Sequence, residues 1–321
     1  MDCTNKLQVI MGDVSVGVRG ENFSYLFSTV RLGMESLVRD GAEWLYRTPQ
    51  PAFWRALTDN DRGNKFALKS AMWMGADCFI KCAGVVVSVD GREIGVPLAP
   101  ANNMYEGALE AEHVLIAYTY ETVTVPATEV EVCYEVVTGG DIHVRVHYKG
   151  KKGLPELPVF GMRFIMPTCA DRYCYEGLSG ETYPDRMAGG VYGLYEVKGL
   201  PVTPYLVPQD CGVHMQTKWV EIYRSSTLDN SRKDGEEKGL CFRAEEGGDL
   251  AFACLPYTAM ELENASHQEE LPPARRTVLT VLGAVRGVGG IDSWGADVEP
   301  PYHISAEEDI EYGFWIGGVK G

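Results

Sequence analysis

No cluster of lysines and arginines stands out in this chain, whose 321 residues carry 29 Lys and Arg against 45 Asp and Glu. Tracking a phosphate backbone needs such a cluster, so nucleic acid is not an expected partner. An anionic membrane surface is disfavoured by the same deficit, and no apolar run approaches bilayer length. The amino terminus, Met1-Asp2-Cys3-Thr4-Asn5-Lys6, has neither a basic region nor an apolar run behind it, and no leader is expected. Zinc spacing is missing too. Cys78 and Cys82, or Cys169 and Cys174, have no second Cys/His pair to complete a tetrahedral set. The nine cysteines are expected to be buried free thiols in a reducing cytoplasm. There is no Gly-x-Ser-x-Gly elbow and no Cys/His nucleophile signature.

What is present is ordinary globular chemistry, with 45% hydrophobic and 23% charged residues. Glycine (36) and proline (17) make up about one residue in six, an excess that favours short strands and tight turns over long helices. Val130, Val132, Tyr134 and Val136 alternate with Glu129, Glu131 and Glu135, and Ile142, Val144, Val146 and Tyr148 repeat the pattern after Thr138-Gly139-Gly140-Asp141. Two period-two runs split by Gly-Gly predict a hairpin with a primed turn. Similar runs sit at 84–89, 113–121, 219–223, 240–243, 250–254 and 277–282. Helix is expected over 65–75 and from the capping box Thr258-Ala259-Met260-Glu261 to about Ala265. The polar stretch 229–238 reads as a surface loop inside one large all-β antiparallel sandwich spanning 1–321.

Candidate sites were weighed against structural roles. His143 and His147, flanking Arg145, read as a solvated strand face and not as a metal pair, which would need further ligands. Neighbouring acids (Asp59 and Asp61, Glu261 and Glu263, Glu269 and Glu270) argue nothing by proximity, because glycoside chemistry needs two carboxyls facing each other across a sugar. The run Arg286-Gly287-Val288-Gly289-Gly290 lacks the Gly-Lys-Ser/Thr ending of a phosphate cradle. It leads into Trp294, which fits either core packing or ligand contact. Phe53–Asn64 packs two aromatics, an arginine and several acid or amide side chains before Gly63. It reads as a turn with local capping, or as the start of a mobile loop at a binding cleft.

These last stretches carry a resemblance. Phe53–Gly63 resembles the Arg-Ala-Pro-x-Asp-Asn-Asp-x-Gly opening of the last domain of glycoside hydrolase family 2 β-galactosidases. In the same order, Gly177–Arg186 resembles Gly-Leu-Gly-Pro-x-Glu-x-Tyr-Pro-Asp-Arg. Pro204–Gln209 is similar to Pro-Tyr-x-x-Pro-Gln/Ser-Glu, and Gly287–Trp294 to Gly-x-Gly-Gly-x-Asp-Ser-Trp. Length and start fit the separately encoded small chain of two-chain bacterial enzymes. The resemblance implies a galactose-mutarotase-like super-sandwich with one or two short helices. It also implies a lactose-hydrolysing, retaining enzyme whose catalytic glutamates, Mg²⁺ and Na⁺ belong to a separate large chain, with no cofactor in this one. Trp294 would stack on the sugar, and Gly63, with Asp59 and Asp61, would open the active-site loop. Leu57 and Ile291 depart from the family pattern, which often has Pro and Asp or Asn there. The alternative is a stand-alone carbohydrate-binding or aldose-epimerase-like module, which would need a His and a Glu poised over the ring oxygen. If a partner covers the domain, apolar residues near Phe53–Trp54 and around Trp294 are expected at the surface.

Overall fold

The computed structural model describes residues 6–96, 109–229 and 235–319. One long sheet of ten antiparallel strands forms the back of the molecule. Its order from edge to edge is Tyr192–Lys198, Arg172–Leu178, Trp219–Arg224, Lys238–Ala244, Ile310–Gly318, Ile142–Tyr148, Glu129–Val137, His113–Glu121, Lys81–Val89 and Arg92–Ile94. Alternation sets its register. Val130, Val132, Tyr134 and Val136 are all buried, as are Ile142, Val144, Val146 and Tyr148 on the paired strand. A slip of one residue would turn both rows to water, so the pairing is strongly specified.

Two smaller antiparallel sheets cover the inner face of this long one. A six-stranded sheet built from residues 7–43 and Leu109–Ala111 packs on one half. There Phe27 meets Tyr134 at 5.6 Å between ring centroids, and the Tyr118 hydroxyl donates to the carbonyls of Ser28 and Gly33. On the other half lie Val213–Thr217, Leu250–Leu255, Thr277–Val285, Val159–Met166 and Arg47–Ala52. Here Phe164 packs on Phe242 at 5.1 Å and Phe252 on Tyr175 at 5.5 Å. Each such aromatic pair adds about 0.5–1.5 kcal/mol beyond its buried area. The expected all-β super-sandwich is what these sheets form.

Three corrections concern local structure. Positive φ falls at Gly139 (+91°) and Gly140 (+84°), and Thr138 is not among the positive-φ residues. Val137 N–H bonds to the Asp141 carbonyl, so the loop has three residues and is not the primed turn expected. The 65–75 helix is only α2, Phe66–Ser70, followed by a 3-10 turn at Ala71–Trp73, while an unexpected short helix, α1, covers Asp59–Gly63. The capping box does start α3, Ala259–Asn264, with Glu261 N–H on Thr258 Oγ1 and Glu261 Oε2 on Thr258 N–H. Of the eight described cysteines, only Cys211, Cys241 and Cys254 are buried; Cys133 and Cys174 sit at outward strand positions. Residues 230–234 of the polar stretch lie outside the described residues. His143 and His147 do point outward: His143 stacks on Trp315 and bonds Glu245 at 2.6 Å, and His147 reaches Asp309 at 3.0 Å. No helix among the described residues is long and apolar enough to cross a membrane.

Candidate functional site

The four stretches that carry the family resemblance, far apart in sequence, meet at one pole. α1 forms because Thr58 caps it: the Thr58 hydroxyl accepts from Asp61 N–H, and the Asp61 carboxylate accepts from Thr58 N–H, both at 3.1 Å. The same carboxylate, 1% exposed, lies between two buried guanidiniums, Arg55 at 3.2 Å and Arg286 at 3.1 Å. Arg55 in turn donates to the carbonyls of Arg286 and Gly287, both at 2.9 Å. Asn60 bonds the Val288 carbonyl at 2.8 Å, and Asp185 accepts from the N–H groups of Val288 and Gly289. Arg186 donates to the Gly289 carbonyl. The glycine run is therefore gripped from both sides. A β-carbon on Gly290, whose φ is +79°, would stand 2.8 Å from Asn60 Nδ2, which explains the glycine there.

Beyond this grip the chain forms the loop that carries Trp294. Its two ends are tied together, because Arg286 bonds Asp297 while also holding Glu156 at 2.5 Å. Asp297 takes three more bonds, from Asn64 at 3.2 Å, Lys69 at 3.1 Å and the Val298 N–H at 2.9 Å. Burial alone would raise the Asp297 carboxyl, but the Lys69 hydrogen bond and Arg286 hold it below the usual range. At the tip, Asp292 Oδ1 accepts from Trp294 N–H at 2.9 Å and Ala296 N–H at 3.1 Å. Backbone meets backbone where Gly295 passes Gly63, since a β-carbon on Gly295 would lie 2.8 Å from the Gly63 carbonyl.

The outcome for the expected residues is mixed. Trp294 is 94% exposed, so the core alternative is excluded and the indole is displayed on a braced loop. Gly63 ends α1 against that loop. Asp59 is exposed and, among the described residues, pairs with Arg62 at 3.1 Å, whereas Asp61 faces inward and serves the frame. Exposed apolar residues were expected near Phe53–Trp54, but Phe53 and Trp54 themselves are buried at 0% and 5%. Trp54 packs on Phe66 and points Nε1 at Glu263, whose carboxylate also takes the Leu57 N–H. The ion network around Arg286 was not anticipated. Its one signal was an arginine opening a glycine-rich run, and a buried arginine needs carboxylates that a sequence does not locate. Beside the loop runs a groove of about 490 Å³ lined by Asp59, Asn60, Glu181, Arg186, Tyr205 and Gln209, among others.

Two enclosed titratable groups near this pole act on stability in opposite senses. Burial pushes the Asp210 carboxyl up to about 6, against Arg55 and the Tyr183 hydroxyl that donates to it at 2.8 Å. The folded state then holds this proton more tightly than an unfolded Asp of about 3.9, so Asp210 costs stability as pH rises through 4 to 6. Burial drives the His214 imidazole down to about 4, with the ring packed on Phe252 at 4.8 Å. His214 therefore costs stability as pH falls from 6.5 to 4. The two slopes oppose each other over the same window. Asp210→Asn should remove one of them, and urea unfolding at pH 4, 5 and 6 should then show stability rising with pH more steeply than in the wild type. Parallel profiles for the two proteins would contradict this.

The fold and site thus define a large antiparallel β domain that displays one indole on a rigid rim. Comparison with known proteins is specific. Residues 19–316 match the family model for the β-galactosidase small chain, and the chain belongs to that family. It is 60% identical over 314 residues to the β-galactosidase small subunit of Latilactobacillus sakei, covering 98% of each. It is 34% identical over 318 residues to a β-galactosidase of Halalkalibacterium halodurans, covering 98% of this chain but 28% of that protein. This chain therefore spans little more than a quarter of that longer relative. Membership of a small-chain family implies a large-chain partner. Among solved structures, a putative aldose 1-epimerase from Escherichia coli aligns with 98% of this chain and 99% of its own at 10% identity and a TM-score of 0.41.

Proposed function

We propose that this chain completes the galactoside-binding cleft of a β-galactosidase whose catalytic carboxyls reside on a separate large chain. The observation that carries the reading is Trp294, 94% exposed on a loop whose base is locked by buried ion pairs. An indole offers a large rigid plane for the C–H face of a sugar, and rigidity spares the entropy of ordering it on binding. Gly63 and Asp59, at the end and start of α1, flank the approach to that plane. The substrate class is terminal non-reducing β-galactosides, lactose among them, hydrolysed with retention. The Mg²⁺ and Na⁺ of the reaction would be held by the large chain, with no cofactor, nucleic acid or membrane bound here. Free thiols at Cys78, Cys82, Cys133, Cys169, Cys174, Cys211 and Cys254 fit a reducing cytoplasm. The epimerase alternative is weaker, because the deeply buried histidine, His214, sits among Tyr173, Tyr175 and Phe252 and is held neutral.

Purified alone, the chain should not hydrolyse a chromogenic β-galactoside, since one loop and one indole do not supply two opposed carboxyls. Activity should appear on mixing with the large chain. Substantial hydrolysis by the isolated chain, free of host enzyme, would overturn this reading.

A further inference from the structure

The segment following α1 has an exposure pattern that packing within this chain does not explain. Phe66 and Trp73 are fully buried and pin it to the core. Between and beyond them, Leu68 is 83% exposed and Phe79 70%, with Met72 and Met74 at 41% and 37%. Val125, 78% exposed, joins the strip through its N–H, which lies 3.4 Å from the Met72 sulfur. The charged side chains within residues 66–79 are Lys69 and Asp77, and both are engaged elsewhere: Lys69 with Asp297, Asp77 with Arg163 at 2.5 Å. An apolar strip with its charges drawn off is unusual on a molecule of net charge −16.

We propose that this strip is the docking footprint of the large β-galactosidase chain. The inference rests on the function proposed above and adds where the partner sits. A retaining enzyme needs two carboxyls about 5 Å apart at the sugar, and if the sugar lies on Trp294 they must come from a body pressed against the neighbouring surface. The strip is that surface. Leu68 is one residue from Lys69, whose amine holds Asp297 at the base of the Trp294 loop, and Asn64 holds the same carboxylate. The Leu68 end of the strip is thus tied to the base of the indole's loop. Ile291, 57% exposed, carries apolar surface into the loop itself. The Halalkalibacterium halodurans relative has nearly three-quarters of its length beyond the part this chain matches, ample for a partner of the required size. Phenylalanine and methionine are the residues that interface cores enrich, and methionine's unbranched side chain adapts to a facing surface.

The test is association of purified chain with the large chain that accompanies the Latilactobacillus sakei small subunit, read by titration calorimetry and by hydrolysis rate against large-chain concentration. The double variant Leu68→Glu with Phe79→Glu should weaken association roughly 30-fold or more, as loss of central apolar anchors does. Its maximal rate at saturating large chain should stay near wild type. Leu194→Glu, 71% exposed on an edge strand of the ten-stranded sheet, should change neither. Both variants alter exposed side chains, and unchanged thermal unfolding of each would verify the fold. Wild-type association and activation with an unimpaired double variant would overturn the footprint alone. So would a double variant that loses only self-association, since the strip would then seat a second copy. Absence of any association or activation by the wild type would overturn the proposed function with it.

Discussion

Asp61→Ala should cost about 3–5 kcal/mol of folding stability, enough to unfold much of the population of an ordinary domain at physiological temperature. The reason is what the substitution leaves behind. Arg55 is 3% exposed and Arg286 0%, and each has Asp61 as its nearest shared carboxylate. Removing it leaves the desolvated Arg55 guanidinium without its paired carboxylate, takes one of three carboxylates from Arg286, and deletes the capping-box bond from Thr58 N–H. Asp59→Ala makes the proper comparison. It removes an acid two residues away, but one that is exposed and, among the described residues, paired with the partly exposed Arg62, a contact of about 0–1 kcal/mol. Denaturant titration of the two variants should separate them by more than 2 kcal/mol. Equal midpoints would mean that the buried network is relaxed by water or by movement of Arg286, and the account of the loop's rigidity would fail with it.

That contrast also shows what a sequence can and cannot disclose here. Asp59 and Asp61 look alike in the chain, and beyond the local cap that Asp61 shares with Thr58 it is the tertiary partner that tells them apart. For Asp61 that partner is Arg286, 225 residues away. Hairpins such as 129–148 were legible because one face meets the core and the other meets water, which prints a period of two on the sequence. The strand Val159–Met166 printed no such period, because its first four residues are buried on both faces between its neighbours. Arg47–Ala52 was hidden for another reason. Pro49 and Pro51 argue against a strand, yet this one is the edge of its sheet, where a missing N–H leaves no ladder bond broken. The site was legible as four ordered stretches and one tryptophan. Their convergence, and the direction in which the indole points, depended on contacts across the whole length of the chain.

Trp294→Ala should leave stability within about 0.5 kcal/mol of wild type, because a side chain 94% exposed leaves no cavity in the core. In the assembled enzyme the effect should be large. One desolvated aromatic contact is worth about 1–3 kcal/mol, so kcat/KM for a β-galactoside should fall roughly 5- to 150-fold. If the sugar stacks on the indole equally in the ground state and the transition state, the loss appears as a raised KM with kcat nearly unchanged. A fall in kcat at constant KM would instead assign the stacking to the transition state, leaving the platform intact but changing when it acts. Trp294→Phe, which keeps a smaller plane on the same braced loop, should recover part of the difference. The structure braces Trp294 from three directions. Its backbone is fixed by Asp292, its loop is closed by Arg286 and Asp297, and its neighbour Gly295 passes Gly63 too closely for a β-carbon. Kinetics of the alanine variant identical to wild type would therefore remove the central support for the sugar-platform role.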